Sequence, residues 1–167
     1  PVSQPLVSVI CLAYNHEPYI SDALAGFVQQ VTSFPFEVLV HDDASTDSTA
    51  DIIRRYQAQY PAIIKPIFQT QNQFSHGVRI LPRYVHPLAR GKYIASCEGD
   101  DYWTDTRKLQ KQVDFMESNH QYVAVTHNVT VVNALGNEAL APASLYEELP
   151  DHVFGLSDFL AGKSVAA

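Results

Sequence analysis

The feature that most constrains the fold is a pair of short apolar runs, each leading into two adjacent carboxylates. Glu37-Val38-Leu39-Val40-His41 leads into Asp42-Asp43-Ala44-Ser45-Thr46-Asp47. Lys92-Tyr93-Ile94-Ala95-Ser96 leads through Cys97-Glu98-Gly99 into Asp100-Asp101-Tyr102-Trp103. Such runs read as strands covered on both faces, the pattern of a parallel sheet. Adjacent carboxylates repel, and one takes up a proton unless a cation or hydrogen-bond donors keep both ionised. Mg²⁺ is held by one or two carboxylates together with substrate phosphates. In open parallel sheets, ligands bind in the crevice beyond the carboxyl ends of the strands. Two acidic strand ends facing one crevice therefore point to a metal-assisted nucleotide or phosphate site. The plainer reading of either pair is a turn with a helix-capping Asp, and Ser45, Thr46 and Asp47 are each suited to capping.

Strands and helices alternate along the rest of the chain. Val7 to Leu12 is a first strand, and Tyr19, Ile20, Ala23, Leu24, Phe27 and Val28 recur at helical spacing over about Pro18 to Gln30. The second strand, Glu37 to His41, is followed by a helix from about Ser48 to Gln59, with Ile52, Ile53 and Tyr56 inward. Ile63 to Phe68 is a third strand, placed at an edge by Pro66. Gln69 to Gly77 is polar and reads as a mobile loop. A helix through Ile80, Leu81, Tyr84, Val85 and Leu88 is expected next, with Pro82 in its first turn and Pro87 near its end. Lys92 to Cys97 is the fourth strand. A helix starts at Asp105 or Thr106 and ends near Asn119, and Tyr122 to Thr126 is a fifth strand. Val129 to Val132 is expected to pair with residues after the Gly136-Asn137 turn. This alternation predicts an α/β protein with a mostly parallel central sheet.

With 167 residues and 46% hydrophobic content, the chain can bury a core of its own. A net charge of −7 argues against nucleic acid as a partner, since such binders present a basic face. No apolar run approaches the ~18 residues of a membrane span. Cys11 and Cys97 sit inside apolar runs and read as reduced core thiols, which suits a cytoplasmic setting better than a disulfide does.

Taken together, Val7-Ser8-Val9-Ile10 leading to Tyr14-Asn15, then Asp42 to Asp47, then Gly91-Lys92-Tyr93-Ile94 leading to Glu98-Gly99-Asp100-Asp101 resemble family 2 glycosyltransferases of the GT-A fold. The motifs stand in the family's order and spacing, over roughly residues 6 to 128, and Lys108-Leu109-Gln110-Lys111-Gln112 is also similar. The resemblance implies a three-layer α/β/α fold, truncated here. Residues 1–128 would be the nucleotide-sugar (donor) half and 129–167 the incomplete start of an acceptor-binding half. It implies transfer of a sugar from a nucleotide diphosphate, with inversion, helped by Mg²⁺ or Mn²⁺, to a glycan or lipid-linked acceptor. The implied setting is the cytoplasm or the inner face of a membrane. By position, Asp43 resembles the carboxylate that accepts from the ring N–H of the base, which favours UDP- or dTDP-sugars. Asp100 resembles the ribose contact and Asp101 the metal ligand. Tyr14, with the backbone near Leu12 and Ala13, would line the base pocket.

Each residue also has a structural reading. Asp42 either touches ligand or shapes the turn. Tyr14 could be core, and Asn15-His16-Glu17 a helix cap with His16 exposed. Trp103 either walls the sugar pocket or packs the next helix. Arg79 and Arg83 read as solvated, His41 as facing away from Asp42, and His127 and Asn128 as polar candidates without a role. Three departures from the family pattern stand out. Its usual Gly after the second acidic pair is Ala44 here, a mild change. The first Asp of its spaced Asp-x-Asp is Glu98, which leaves metal ligation to Asp101. Its general base lies well beyond the metal motif, and neither Asp151 nor Asp158 sits in a matching motif, so the base is expected beyond Ala167. Two other classes compete. A receiver-type signalling domain would need an Asp acceptor after a middle strand and a Lys near the last, yet Phe68 ends strand three without an Asp. A non-catalytic nucleotide-binding or interaction module would keep the fold without turnover.

Overall fold

The computed structural model describes residues 4–127 and 129–133. The chain divides into two compact units, Pro1–Ser118 and Asn119–Ala167.

The first unit is built on four parallel strands in the order β3-β2-β1-β4: β1 (Val7–Ala13), β2 (Phe36–Asp42), β3 (Ile64–Phe68) and β4 (Tyr93–Ser96). Val9 pairs with Val38 on one side and Ala95 on the other, which puts β1 in the middle of the site-bearing strands. The predicted strands stand within two residues of these limits, and β3 takes the edge that Pro66 requires.

Three helices follow from the apolar spacing: α1 (Ile20–Val28), α2 (Thr49–Gln59) and α3 (Lys108–Ser118). One core joins Val9, Cys11 and Val40 of the sheet to Ile20, Leu24 and Phe27 of α1, Ile53 of α2, and Leu109 and Val113 of α3. Full burial of a side chain such as Leu24 or Phe27 is worth roughly 1.5–3 kcal/mol, and both are completely buried. Trp103 joins this core, edge-on to Phe27 of α1 at 4.8 Å. Gly26 permits that approach, since a Cβ there would lie 3.1 Å from the Trp103 backbone nitrogen. Cys11 and Cys97 are both buried and unbridged. Burial pushes the Cys11 thiol well up, and raises Cys97 to about 12.

A second core covers the opposite face of the sheet, with Ile10 and Leu39 packed by Ile80 and Val85. The α-helix expected over Ile80 to Leu88 is instead a π-helical turn, Leu81–Val85, followed by a 3₁₀ turn, His86–Leu88. The His86 N–H reaches back to the Leu81 carbonyl. Pro82 and Pro87 have no N–H to give an α-ladder, so the segment keeps its apolar spacing but winds differently.

At the amino ends of the strands, Glu37 accepts from the Ser8 hydroxyl at 2.8 Å, the Arg90 N–H at 3.0 Å and the Arg90 guanidinium. This nearly buried carboxylate ties β1 and β2 to the approach of β4. Burial would raise its pKa, but the hydrogen bonds from Arg90 and Ser8 prevail and hold it below the usual value.

In the second unit, the fifth strand expected over Tyr122 to Thr126 does not form. The segment is irregular and Val123 is 95% exposed. Its β-branched residues suit a strand, but propensity alone does not make one. Val132 forms an isolated bridge; the expected partner after Gly136-Asn137, and the candidate Asn128, lie outside the described residues.

Candidate functional site

Strand pairing continues past the strands and gathers the candidate residues at one end of the sheet. The Asp43 N–H donates to the Ala13 carbonyl at 2.9 Å, carrying the β1–β2 ladder into the acidic corner. On the other side of β1, Cys97 N–H donates to Ile10 at 3.0 Å and Gly99 N–H to Leu12 at 2.8 Å. Leu12, Ala13, Tyr14, Asp42, Asp43, Asp100 and Asp101 thus lie at the carboxyl ends of three adjacent strands. Because β1 has β2 on one side and β4 on the other, this is where the strand order reverses, the place at which open α/β sheets bind ligands.

Asp42 and Asp43 have different surroundings. Asp42 is 2% exposed and accepts from the hydroxyl and the N–H of Ser45, so it shapes the corner. Asp43 accepts from the backbone N–H groups of Gln73 at 2.8 Å and Phe74 at 2.9 Å. A carboxylate offers about four lone-pair positions, so two remain for a ligand N–H. The segment Gln69 to Gly77, expected to be a mobile loop, is therefore fastened to Asp43. From the far side, Tyr84 donates to the Gln73 side chain at 2.9 Å and stacks on buried His41. His41 faces away from Asp42, as the strand alternation predicts. Phe74 itself is 77% exposed.

Glu98, Asp100 and Asp101 occupy one tight turn, closed by the Asp101 N–H on the Glu98 carbonyl. Desolvation in the turn and the neighbouring Asp100 push the carboxyls of Glu98 and Asp101 above their ordinary values, and His16 acts the other way. The turn lies hard against β1 and the start of α1. A Cβ at Gly99 would fall 2.8 Å from His16 Nδ1 and 3.0 Å from the Leu12 carbonyl. His16 Nδ1 is buried there without a hydrogen-bond partner.

This oxygen-rich, mutually repelling set suits a hard divalent cation, which would relieve the repulsion. Among the described residues no three His, Cys, Asp or Glu side chains converge as a closed cage. One or two carboxylates, as this turn offers, are the usual protein share of a Mg²⁺ site. An open depression of about 730 Å³, lined by Leu39, Lys65, Ile67, Leu88 and Arg90 among others, lies toward the amino ends instead, away from the acidic crevice.

Sequence reasoning missed the lacing between the two loops that leave β1 and β2. Asn15 N–H donates to Ser45 Oγ at 2.9 Å, and Thr46 N–H donates to Asn15 Oδ1 at 2.8 Å. Glu17 N–H donates to Asp47 at 3.1 Å, and Ser48 N–H donates to Glu17 at 3.0 Å. Asp47 also accepts the Thr49 N–H at 2.9 Å, at the first residue of α2, whose N-cap is Ser48 with no side-chain capping bond. The signal available in the sequence was the density of short polar residues at both corners, which side chain–backbone bonding favours. Arg79 and Arg83 are exposed, as their solvated reading predicts.

A parallel α/β sheet with acidic residues gathered at its switch point is an α/β arrangement of the GT-A type. Residues 8–153 match glycosyl transferase family 2, and the chain belongs to that family. It is 45% identical over 126 residues to the uncharacterised protein Rv1520 of Mycobacterium tuberculosis, a match covering 75% of this chain and 36% of that protein. It is also similar to Staphylococcus aureus TarS 1–349 solved with UDP-GlcNAc: TM-score 0.58 and 30% identity, over 68% of this chain and 32% of that one. The Pyrobaculum calidifontis mannosyltransferase PcManGT, solved with GDP-Man and Mn²⁺, aligns at TM-score 0.58 and 26% identity, over 68% of this chain and 33% of that one. The chain thus spans about a third of the length of these relatives.

Proposed function

We propose that this chain is the donor-binding half of a glycosyltransferase that moves a sugar from a nucleotide diphosphate to a glycan or lipid-linked acceptor with inversion. The observation that carries the reading is the convergence of Asp43 and the Asp100-Asp101 turn on either side of β1. In this reading Asp43 accepts from the ring N–H of a uracil or thymine base, with Tyr14 and the backbone of Leu12 and Ala13 as the pocket wall. Asp42 supports that corner through Ser45. Asp100 meets the ribose, and Asp101 holds Mg²⁺ or Mn²⁺. The bound cation supplies charge neutralisation for the departing diphosphate. The donor half takes in residues 1–128, and the general base belongs to the acceptor half that starts at 129. The protein works in the cytoplasm, at the inner face of a membrane when its acceptor is lipid-linked. Among the described residues no helix is long and apolar enough to cross a membrane.

Calorimetric titration of UDP, with Mn²⁺ and with chelator, tests this reading beside Asp101→Ala. Metal-dependent binding in the wild type, lost in the variant, is the expected result. A folded chain that binds neither UDP, dTDP nor GDP in the presence of Mn²⁺ would sink the donor-site reading.

A further inference from the structure

Tyr14 and Asp43, the two residues read as facing the base, share a backbone feature. Each is followed at once by a residue in the left-handed region, Asn15 at φ 54° and Ala44 at φ 61°. A left-handed residue turns the chain sharply, so the aim of the side chain before it depends on that corner being held. Side chains with a Cβ resist this conformation, Ala more than Asn. Something outside the local backbone must fix both corners.

The fixing is reciprocal. Ser45, next to the Ala44 corner, accepts the N–H of Asn15 and donates its own hydroxyl to Asp42. Asn15 in turn accepts the N–H of Thr46 at 2.8 Å and its hydroxyl at 3.3 Å. Glu17 and Asp47 add a second rung, each accepting a backbone N–H from the other loop. Asn15, Glu17 and Thr46 are exposed, and none of them belongs to either hydrophobic core. Water competes for bonds of this kind, so they add little to global stability. What they do fix is the separation of two corners on neighbouring strands.

We propose that this interloop clasp, centred on Asn15, is a positioning device that sets the spacing between Tyr14 and Asp43 and thereby selects the base. The proposal rests on the donor-site reading above and deepens it. Because its hydrogen bonds join the β1 and β2 corners, the clasp acts chiefly on base recognition; it reaches the diphosphate–cation end, on the β4 side, only through His16 against the Gly99 turn. A residue needed only for folding would weaken both ends alike.

The test is titration of the wild type, Asn15→Ala and Asn15→Asp with UDP, CDP and inorganic pyrophosphate, each with Mn²⁺, alongside thermal melts. Asn15→Asp keeps an oxygen acceptor and tolerates the left-handed corner. The expected result is that Asn15→Ala weakens UDP by roughly tenfold, the scale of one lost hydrogen bond. The preference for UDP over CDP narrows, pyrophosphate binding falls much less than UDP binding, and Asn15→Asp restores UDP binding. Equal weakening of UDP and pyrophosphate in Asn15→Ala, or no weakening of UDP, overturns the clasp while leaving the donor site standing. Wild-type protein that binds no nucleotide overturns the donor-site reading, and the clasp with it. The two failures are told apart by which protein shows them.

Discussion

Ala44 shows how much a single residue can conceal in a sequence. As a sequence feature, Ala in place of the family's usual Gly is a mild change. In the structure it stands at φ 61°, where a Cβ crowds the following carbonyl. Asn15 meets the same demand with a side chain that tolerates it and that also bonds to Thr46. Ala44 has no such compensation. Ala44→Gly should therefore stabilise the fold by about 0.5–1 kcal/mol, the relief of strain outweighing the added freedom of the unfolded chain. Urea unfolding would show a higher midpoint with an unchanged slope. A lower midpoint would mean that the corner carries no strain worth relieving.

At the scale of elements, the chain reads most clearly where apolar residues repeat. The four strands, α1 and α2 could be placed because Val, Ile, Leu and Phe mark which faces are buried. The acidic corners could be placed because a carboxylate at a strand end is conspicuous. The fastening of Gln73 and Phe74 to Asp43 was not legible, since the donors are backbone N–H groups that leave no mark in the side-chain pattern. The π and 3₁₀ turns over Leu81 to Leu88 were hidden by a spacing that suits an α-helix equally well.

Behind Asp43 this second layer contains a titratable group. His41 is 1% exposed, stacked on Tyr84 at 5.9 Å, with the Gln69 amide 3.1 Å from its Nε2. Burial holds its pKa below 6.5, although Asp43 and Asp42 pull the other way. The unfolded chain therefore takes up this proton more readily than the folded one. Stability from the neutral imidazole is complete above the unfolded value and is lost as pH falls below about 6.5. As pH falls below about 6.5, the urea midpoint of the wild type should drop more steeply than that of His41→Gln. Parallel curves for the two proteins would show that His41 is not the group responsible.

For the molecule as a whole, charge decides how the site can work. The chain carries −7, and Asp43, Glu98, Asp100 and Asp101 add to one end of the sheet. On the donor-site reading the ligand, a nucleoside diphosphate, is also a polyanion, so the bare protein and the bare ligand repel. With Asp101 read as the one protein carboxylate on the cation, Mn²⁺ keeps most of its coordination for water and phosphate. Each ligand then lacks what the other supplies, and linkage makes the mutual gain equal in both directions. In thermal melts, Mn²⁺ alone or UDP alone should move the midpoint by no more than about a degree, whereas the two together raise it by several degrees. A ligand at a hundred times its Kd contributes about 2.7 kcal/mol, enough to separate these cases. A receiver-type site, whose carboxylates hold the cation unaided, would give the whole shift with metal alone. That result would move the chemistry of this crevice from a shared cation to a protein-owned one, and Asp101→Ala would then abolish the metal shift in the absence of any nucleotide.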